Sequence, residues 1–286
     1  MISSTTSFLA LIGNPVKHSL SPIMHNAALK YLDIDLIYLA IPCKNKDFDL
    51  VINSLKKINC IGLNITIPFK EKAFHLCNEI SPLGKEIKAI NTLKLNNEEE
   101  WIGTNTDVAG FIYPLRNFNL ENKRAIILGS GGAARSSIQG LIDLKLDEII
   151  VISRNKNALI NIVKDFKDQK KIEGLLINTP EIIDLLNSAD LIVNTTPVGM
   201  NKIENDYDLL PFGKNFWRSI NSHTIIYDLI YTPNPTALLH FASKKNCPII
   251  DGSEMLIAQG AKSLSYWTNR VDIPIEIMRD AIKNYL

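Results

Sequence analysis

The sequence predicts an α/β protein of two units, the second built on a Rossmann-like parallel sheet. Three observations predict it. Continuous apolar runs alternate with helix-like stretches almost to the end of the chain, the pattern of parallel strands covered on both faces. The chain has 286 residues, more than a single hydrophobic core usually serves. The stretch AIILGSGGAARSS (125–137) reads as the opening of a dinucleotide-binding unit, yet it stands in mid-chain, so another unit precedes it.

The elements follow in order. FLALIG (8–13) reads as a strand, and SPIMHNAALKYL after it as a helix with Ser21 at the N-cap and Pro22 at the first helical position. LIYLAIP (36–42) precedes a helix opening near Asp47, and IGLNITI (61–67) precedes another near Pro68. AINTLKLN and EEEWIGT read as a short hairpin across Asn96-Asn97. A helix over 107–118 leads into RAIILG. A second series of strands follows at 148–153, 191–196, 224–230 and 248–252, with helices between and two helices at the end. The stretch 197–222, rich in Asn, Asp, Pro and Gly, reads as a long loop, often a sign of function.

Composition excludes several classes. Apolar residues make up 46% of the chain, ample for a sizeable core, and the formal net charge is +1. No global field therefore attracts nucleic acid or an anionic membrane, and neither is expected as a partner. The charge runs NNEEE (96–100) and KDFKDQKK (164–171) read as solvated turns or helix faces. Cys43, Cys60, Cys77 and Cys247 form no C-x-x-C pair, and none neighbours a histidine at a ligand interval. No metal site and no disulfide framework are expected, and a reducing cytoplasm is. The apolar run near the N-terminus is about five residues, too short for a signal sequence or a membrane span.

GSGGAA fits G-x-G-x-x-A, with Gly129, Gly131 and Ala134, between a predicted strand and a predicted helix. Glycines let the backbone approach a pyrophosphate, and the helix start supplies unpaired N–H groups and a positive dipole end. An ordinary tight turn is the plainer alternative, and the flanking strand and helix favour phosphate. The next strand ends Ser153-Arg154-Asn155. No carboxylate is there to hold the ribose diol of NAD, whereas a guanidinium pairs with the 2′-phosphate of NADP, so NADP is the expected cofactor.

In the first half, polar residues gather at strand ends: Ser19 and Ser21, Asn64, Thr66 and Lys70, Asn91, and Asp107. Hydroxyls, amides, a lysine and an aspartate suit a small polyhydroxylated carboxylate. Each also has a plain structural explanation. Ser21 and Asp107 stand where helix caps stand, Lys70 could be a surface lysine, and Thr66 an ordinary strand residue. His18 and His25 flank a helix start and need no function. Taken singly the plain explanations win, and pattern alone leaves the substrate open.

The combination of motifs is more specific. GNPVKHSLSPIMHN, GLNITIPFK, AINTL, GTNTD, GSGGAAR, NTTPVGM, DLIYTPNPTALL and DGSEMLIAQGAKSLSYWT span nearly the whole chain. In that order they resemble the shikimate dehydrogenase family. The resemblance implies reversible NADPH-dependent reduction of 3-dehydroshikimate to shikimate, in aromatic amino acid (chorismate) biosynthesis. It implies Lys70 and Asp107 as the catalytic pair. Ser19 and Ser21 would bind the substrate carboxylate, with Asn64, Thr66, Asn91, Tyr231 and Gln259 as further substrate contacts. Gly129, Ser130, Gly131, Gly132, Ala133, Ser153, Arg154, Asn155, Gly252 and Met255 would contact the cofactor. It also implies a substrate domain over 1–106, a linking helix over 107–122 and a Rossmann NADP domain over 123–252. Helices over 253–286 would return to the first domain.

The chain departs from the family at Ser153 and Asn155 around the arginine, at Lys88 in place of a usual glycine, and at Asn269 after Trp-Thr. A quinate/shikimate dehydrogenase with relaxed cofactor choice would share the fold and the Lys–Asp pair. A methylene-tetrahydrofolate dehydrogenase would share the architecture but lacks this motif set. A non-catalytic dinucleotide-binding regulator would not need both Lys70 and Asp107. Monomer and homodimer both stay open.

Arg154→Ala is expected to raise the Michaelis constant for NADP⁺ far more than that for NAD⁺. Loss of a charge-assisted phosphate contact costs roughly 1.5–3 kcal/mol. Initial rates with each cofactor check this, and equal effects on both would contradict the assignment of Arg154.

Overall fold

The computed structural model describes residues 2–200 and 210–286. The chain divides into two compact units, Met1–Gly110 with Leu256–Tyr285, and Phe111–Met255.

The first unit opens with β1 (Ser7–Gly13), α1 (Ser21–Tyr31), β2 (Leu36–Pro42), α2 (Phe48–Leu55), β3 (Cys60–Ile65) and α3 (Lys70–Leu76). It continues with β4 (Glu79–Ile80), α4 (Pro82–Ile87), β5 (Thr92–Leu95) and β6 (Trp101–Thr104). Their sheet has the order β2-β1-β3-β5-β6-β4. β1 runs parallel to β2 and β3, whereas β5 runs antiparallel to both β3 and β6. The sheet is therefore mixed, because β5 and β6 are joined by a turn far too short for a parallel crossover. Asn96 closes that turn: its Oδ1 accepts from the N–H groups of Glu98 and Glu100 at 2.9 and 2.8 Å. The three glutamates expected at the start of the second hairpin strand fall within the turn, and the strand begins at Trp101. On one side of the sheet Phe48 stacks on Phe69 at 4.4 Å, and buried Trp101 donates to Ile52 O at 3.2 Å.

α5 (Asp107–Leu115) runs across the boundary into the second unit. There follow β7 (Arg124–Leu128), α6 (Gly132–Asp143), β8 (Glu148–Ser153), α7 (Lys156–Phe166), β9 (Ile172–Leu176) and α8 (Ile182–Asn187). β10 (Leu191–Asn194), β11 (Ile225–Asp228), α9 (Ala237–Lys244) and β12 (Ile249–Ile250) complete the unit. Its strands pair in parallel in the order β9-β8-β7-β10-β11-β12. The winding reverses between β7 and β10, the switch point at which such sheets bind ligands. β9 carries no continuous apolar run, since Glu173 and Gly174 interrupt it, and its sequence IEGLL hid it from pattern reading. Arg135 of α6 and Asp165 of α7 form an ion pair at 2.8 Å, both largely buried.

Of the stretch expected as a long loop, residues 201–209 lie outside the described residues. The described remainder is irregular apart from a short 3₁₀ turn over Phe216–Ser219, and part of it packs into the core. Leu210, Phe216, Trp217 and Ile220 are buried in the unit's core, and Trp217 Nε1 donates to Pro211 O at 2.7 Å. α10 (Ser253–Thr268) and α11 (Ile275–Ile282) close the chain. α11 packs against α1 within the first unit.

At the end of β11, fully buried Asp228 accepts from Asn194 Nδ2 at 2.9 Å, Thr236 Oγ1 at 2.7 Å and Ile230 N at 3.2 Å. Thr236 in turn accepts from Leu239 N at 3.2 Å and so caps α9. Burial pushes the Asp228 carboxyl up to about 7, against those three hydrogen bonds. The folded protein thus keeps a proton that the unfolded chain releases near the ordinary pKa of about 4. The group's contribution to stability is fully present below that value, falls as pH rises toward 7, and is level above it. Asp228→Asn removes the titration. In urea unfolding at a series of pH values, the variant's stability should rise relative to the parent between about pH 4 and 7. A difference that stays constant over that range would contradict the account.

Candidate active site

The first unit brings its polar residues together because four strand ends meet at one edge of the sheet. Ile12 at the end of β1 pairs with Ile65 at the end of β3, and Thr92 at the start of β5 pairs with Asn64 and Thr104. The segments leaving those ends carry Ser19 and Ser21, Thr66 and Lys70, Asn91, and Asp107.

Lys70 is the first residue of α3 and Asp107 the first of α5. Lys70 Nζ lies 2.6 Å from Asp107 Oδ2, with side-chain exposures of only 14% and 7%. Lys70 is not a surface lysine. Nor is Asp107 a helix cap: Asn105 Oδ1 accepts from Val108 N at 3.2 Å, which leaves the Asp107 carboxylate to the network. Asp107 Oδ1 accepts from Asn91 Nδ2 at 2.9 Å.

Around the pair is a buried polar network. Asn91 Nδ2 also meets Thr106 Oγ1 at 2.9 Å and Gln259 Oε1 at 3.5 Å, and its Oδ1 accepts from Thr106 N at 2.7 Å. Asn64 Nδ2 reaches Asn91 O and Thr92 Oγ1, both at 3.1 Å, and Ser263 Oγ at 3.0 Å. Tyr38 donates its hydroxyl to Asn64 Oδ1 at 2.7 Å and stacks on His25 at 4.2 Å. Burial pushes His25 down to about 3, so it is a neutral core ring. Sequence reasoning missed Tyr38, Thr92, Thr106 and Ser263. Three of the four lie inside the motifs AINTL, GTNTD and QGAKSLSYWT, where their neighbours drew the attention.

α10 brings Gln259 and Ser263 to this network through two close approaches. A Cβ on Gly62 would stand 2.3 Å from Trp267 Nε1, which donates to Leu93 O at 2.8 Å. A Cβ on Gly260 would stand 2.4 Å from Met24 Cε. Ser19 and Ser21 lie together in the turn before α1, where Ser19 Oγ accepts from Ser21 N at 3.2 Å. The cap expected of Ser21 is not made: Leu20 holds the N-cap position, no side chain bonds there, and Ser21 is buried within the helix. Thr66 follows β3, its methyl packed against Gly13.

In the second unit Gly129 needs its glycine for the fold: φ is +109°, and a Cβ would meet Thr195 Oγ1 at 2.6 Å. Gly131 does not, since among the described residues a Cβ there would meet nothing within 4 Å. Its lack of a side chain keeps open the space before α6, where Gly132 and Ala133 supply N–H groups without intrahelical partners. That donor set fits a pyrophosphate. Ser130 Oγ lies 2.9 Å from Ser153 Oγ, which joins the glycine loop to the end of β8. Ser153 Oγ also accepts from Asn155 N at 3.1 Å, and Asn155 Oδ1 caps α7 through Ala158 N at 3.1 Å. Arg154 between them is exposed.

Gly252 is set by backbone contact, as a Cβ would lie 2.2 Å from Leu229 O. Met255 is buried, and Tyr231 follows β11 half-buried. Burial pushes the Cys60 and Cys77 thiols up to about 12, so neither supplies a thiolate. Among the described residues no cluster of His, Cys, Asp and Glu could hold a metal, and no helix is long and apolar enough to cross a membrane.

The shikimate dehydrogenase substrate binding domain matches residues 11–93, and the shikimate 5′-dehydrogenase C-terminal domain matches residues 252–283. A shikimate dehydrogenase (NADP(+)) of Prochlorococcus marinus (strain MIT 9515) is 64% identical over 286 residues, covering 100% of both chains. The chain belongs to the shikimate dehydrogenase family. It is an NADP-dependent oxidoreductase. A solved shikimate dehydrogenase in complex with NADP⁺ superposes with a TM-score of 0.86 at 33% identity, over 100% of this chain and 97% of that one. The enzyme of Thermus thermophilus, in complex with NADP(H) and shikimate, gives a TM-score of 0.83 at 28% identity, over 98% of this chain and 100% of that one.

Because Ser21 makes no cap bond, Ser21→Ala is expected to leave the unfolding midpoint and NADP⁺ binding close to the parent's. Shikimate binding should weaken several-fold, as for loss of a hydrogen bond contributing about 0.5–1.5 kcal/mol. Calorimetry with each ligand checks both. Lost stability with intact shikimate affinity would return Ser21 to a structural role.

Proposed function

We propose that Lys70 and Asp107 handle the proton in the reversible conversion of 3-dehydroshikimate and NADPH to shikimate and NADP⁺. The observation that carries this reading is the buried Lys70–Asp107 contact at 2.6 Å, set among amides and hydroxyls suited to a polyhydroxylated ligand. NADP supplies the hydride acceptor or donor.

In the reduction direction the substrate carbonyl oxygen gains charge as its carbon is reduced. Lys70 donates a proton from Nζ to that oxygen, and in the oxidation direction the proton returns to Nζ. Asp107 holds the ammonium through Oδ2 and is itself held by Asn91 through Oδ1. Both lie within one unit, on the first turns of two helices anchored at the same sheet edge, so their relation is set by the fold.

Ser19 and Ser21 bind the substrate carboxylate, and Thr66, Asn91 and Gln259 offer further polar contacts. Asn64 acts more as a brace, since its amide faces protein acceptors on three sides. Tyr231 is a further substrate contact. NADP is held by backbone N–H groups over Gly129–Ala133 and by Arg154 on the 2′-phosphate, with Ser153, Asn155, Gly252 and Met255 around it. A cytoplasmic enzyme fits this reading, with Cys43, Cys60, Cys77 and Cys247 as free thiols.

Lys70→Ala is expected to leave both ligands bound and to lower turnover by about 10²–10⁴-fold, the usual range for loss of general acid–base catalysis. Asp107→Asn should slow turnover too, and the two losses together should be less than additive. Shikimate oxidation is followed by NADPH absorbance for both single variants and the double variant. Near-normal turnover in Lys70→Ala would remove it from the proton path.

A further inference from the structure

We infer that Ser263, one helical turn beyond Gln259 on α10, is a positioning residue for the proton-transfer pair. The inference rests on the assignment of Lys70 and Asp107 above.

Ser263 is fully buried. Its Oγ lies 3.0 Å from Gln259 O, 3.0 Å from Asn64 Nδ2, 2.9 Å from Thr92 Oγ1 and 3.0 Å from Thr106 Oγ1. A carbonyl oxygen only accepts, so the Ser263 proton goes to Gln259 O, and Ser263 accepts from Asn64 Nδ2 and from the Thr106 hydroxyl. That choice directs the rest of the network. The Thr106 hydroxyl gives its proton to Ser263 and turns a lone pair to Asn91 Nδ2, 2.9 Å away. The Thr92 hydroxyl donates to Asn91 Oδ1 at 3.0 Å, where Thr106 N also donates at 2.7 Å.

Asn91 is thereby held with its oxygen toward those two donors and its nitrogen toward Asp107 Oδ1. The reversed amide would set oxygen against the Asp107 carboxylate and N–H against the N–H of Thr106. A run of directed hydrogen bonds thus leads from α10 through Thr106 and Asn91 to Asp107, whose other oxygen holds Lys70.

Packing alone does not account for Ser263. Alanine would nearly fill the same volume and favours the helix. It would remove the shared acceptor, so that Asn64 and Thr106 each lose a partner in a buried site. The Thr106 hydroxyl could then swing its proton to Asn91 Oδ1, 3.2 Å away, and withdraw the lone pair that steadies Asn91 Nδ2.

The test compares Ser263→Ala, Asn91→Ala, the double variant and Lys70→Ala, each assayed below its own melting temperature. Shikimate oxidation and NADP⁺ binding are measured for each. Ser263→Ala should lower kcat roughly 3- to 30-fold, a scale typical of coupled polar networks, with a smaller change in KM for shikimate and unchanged NADP⁺ affinity. In the Asn91→Ala background the same substitution should change kcat by less than about twofold, because the intermediary is gone. A normal kcat in Ser263→Ala would overturn the inference. So would an equal fold-loss in both backgrounds, or a matching loss of NADP⁺ affinity. Normal turnover in Lys70→Ala would overturn the underlying assignment instead; slow Lys70→Ala with normal Ser263→Ala would remove only Ser263.

Discussion

A lysine and an aspartate drawn largely out of water lose hydration that their mutual attraction restores only when further hydrogen bonds complete the site. The first unit is arranged around that constraint. Asp107 has one oxygen for Lys70 and the other for Asn91, and Asn91 is itself held at both ends of its amide. Asn64 donates to Thr92 at 3.1 Å and to Ser263 at 3.0 Å, and Thr106 lies 3.0 Å from Ser263. Asn64, Asn91, Thr92, Thr106, Asp107 and Ser263 are buried, so each is costly to leave unpaired. The close seating of Trp267 over Gly62, and of Met24 at Gly260, brings the last hydroxyl in from α10.

The second unit meets a different constraint, that of approach to an anion by backbone alone. Gly129 is required by its own φ and by Thr195, which reaches across the switch point to donate to Leu128 O at 2.7 Å. Among the described residues, a Cβ on Gly131 would meet nothing within 4 Å. A glycine that the fold does not need, placed before the first turn of a helix, leaves room for a group outside the chain. The Ser130–Ser153 contact then joins that room to the strand end carrying Arg154.

Much of this was legible in the residues, and the parts that were not have separate physical causes. Strands with continuous apolar runs, such as Leu36–Pro42 and Glu148–Ser153, stand where the pattern put them. Glu79–Ile80 and Ile172–Leu176 escaped, the first being only two residues long and the second broken by Glu173 and Gly174. Lys70, Asn91 and Asp107 were visible as polar residues at strand ends, but their contact spans 37 residues of sequence between Lys70 and Asp107 and needs the sheet to form. Thr92, Thr106 and Ser263 were invisible for a further reason. A threonine or serine beside apolar neighbours looks the same whether its hydroxyl bonds its own backbone or a partner more than 150 residues away, as Thr106 does with Ser263. In the described part of 197–222 the chain is largely irregular, and its Asn, Pro and Gly residues did not reveal that Trp217 anchors it in the core.

The same local device frees a charged side chain in each unit. At the start of α5, Asn105 accepts the N–H of Val108, so the neighbouring Asp107 has no backbone donor to satisfy. At the start of α7, Asn155 accepts the N–H of Ala158, and Arg154 beside it is left for solvent or ligand. A helix start must satisfy its first N–H groups, and asparagine does so without bringing a charge of its own. Were Asp107 the cap, its carboxylate would be divided between backbone donors and Lys70, and the 2.6 Å contact would compete with the helix for one group. Assigning the cap to a neutral neighbour separates the two tasks. A helix start can then fix the position of a charged side chain without drawing on its charge, as the chemistry of a buried Lys–Asp pair demands.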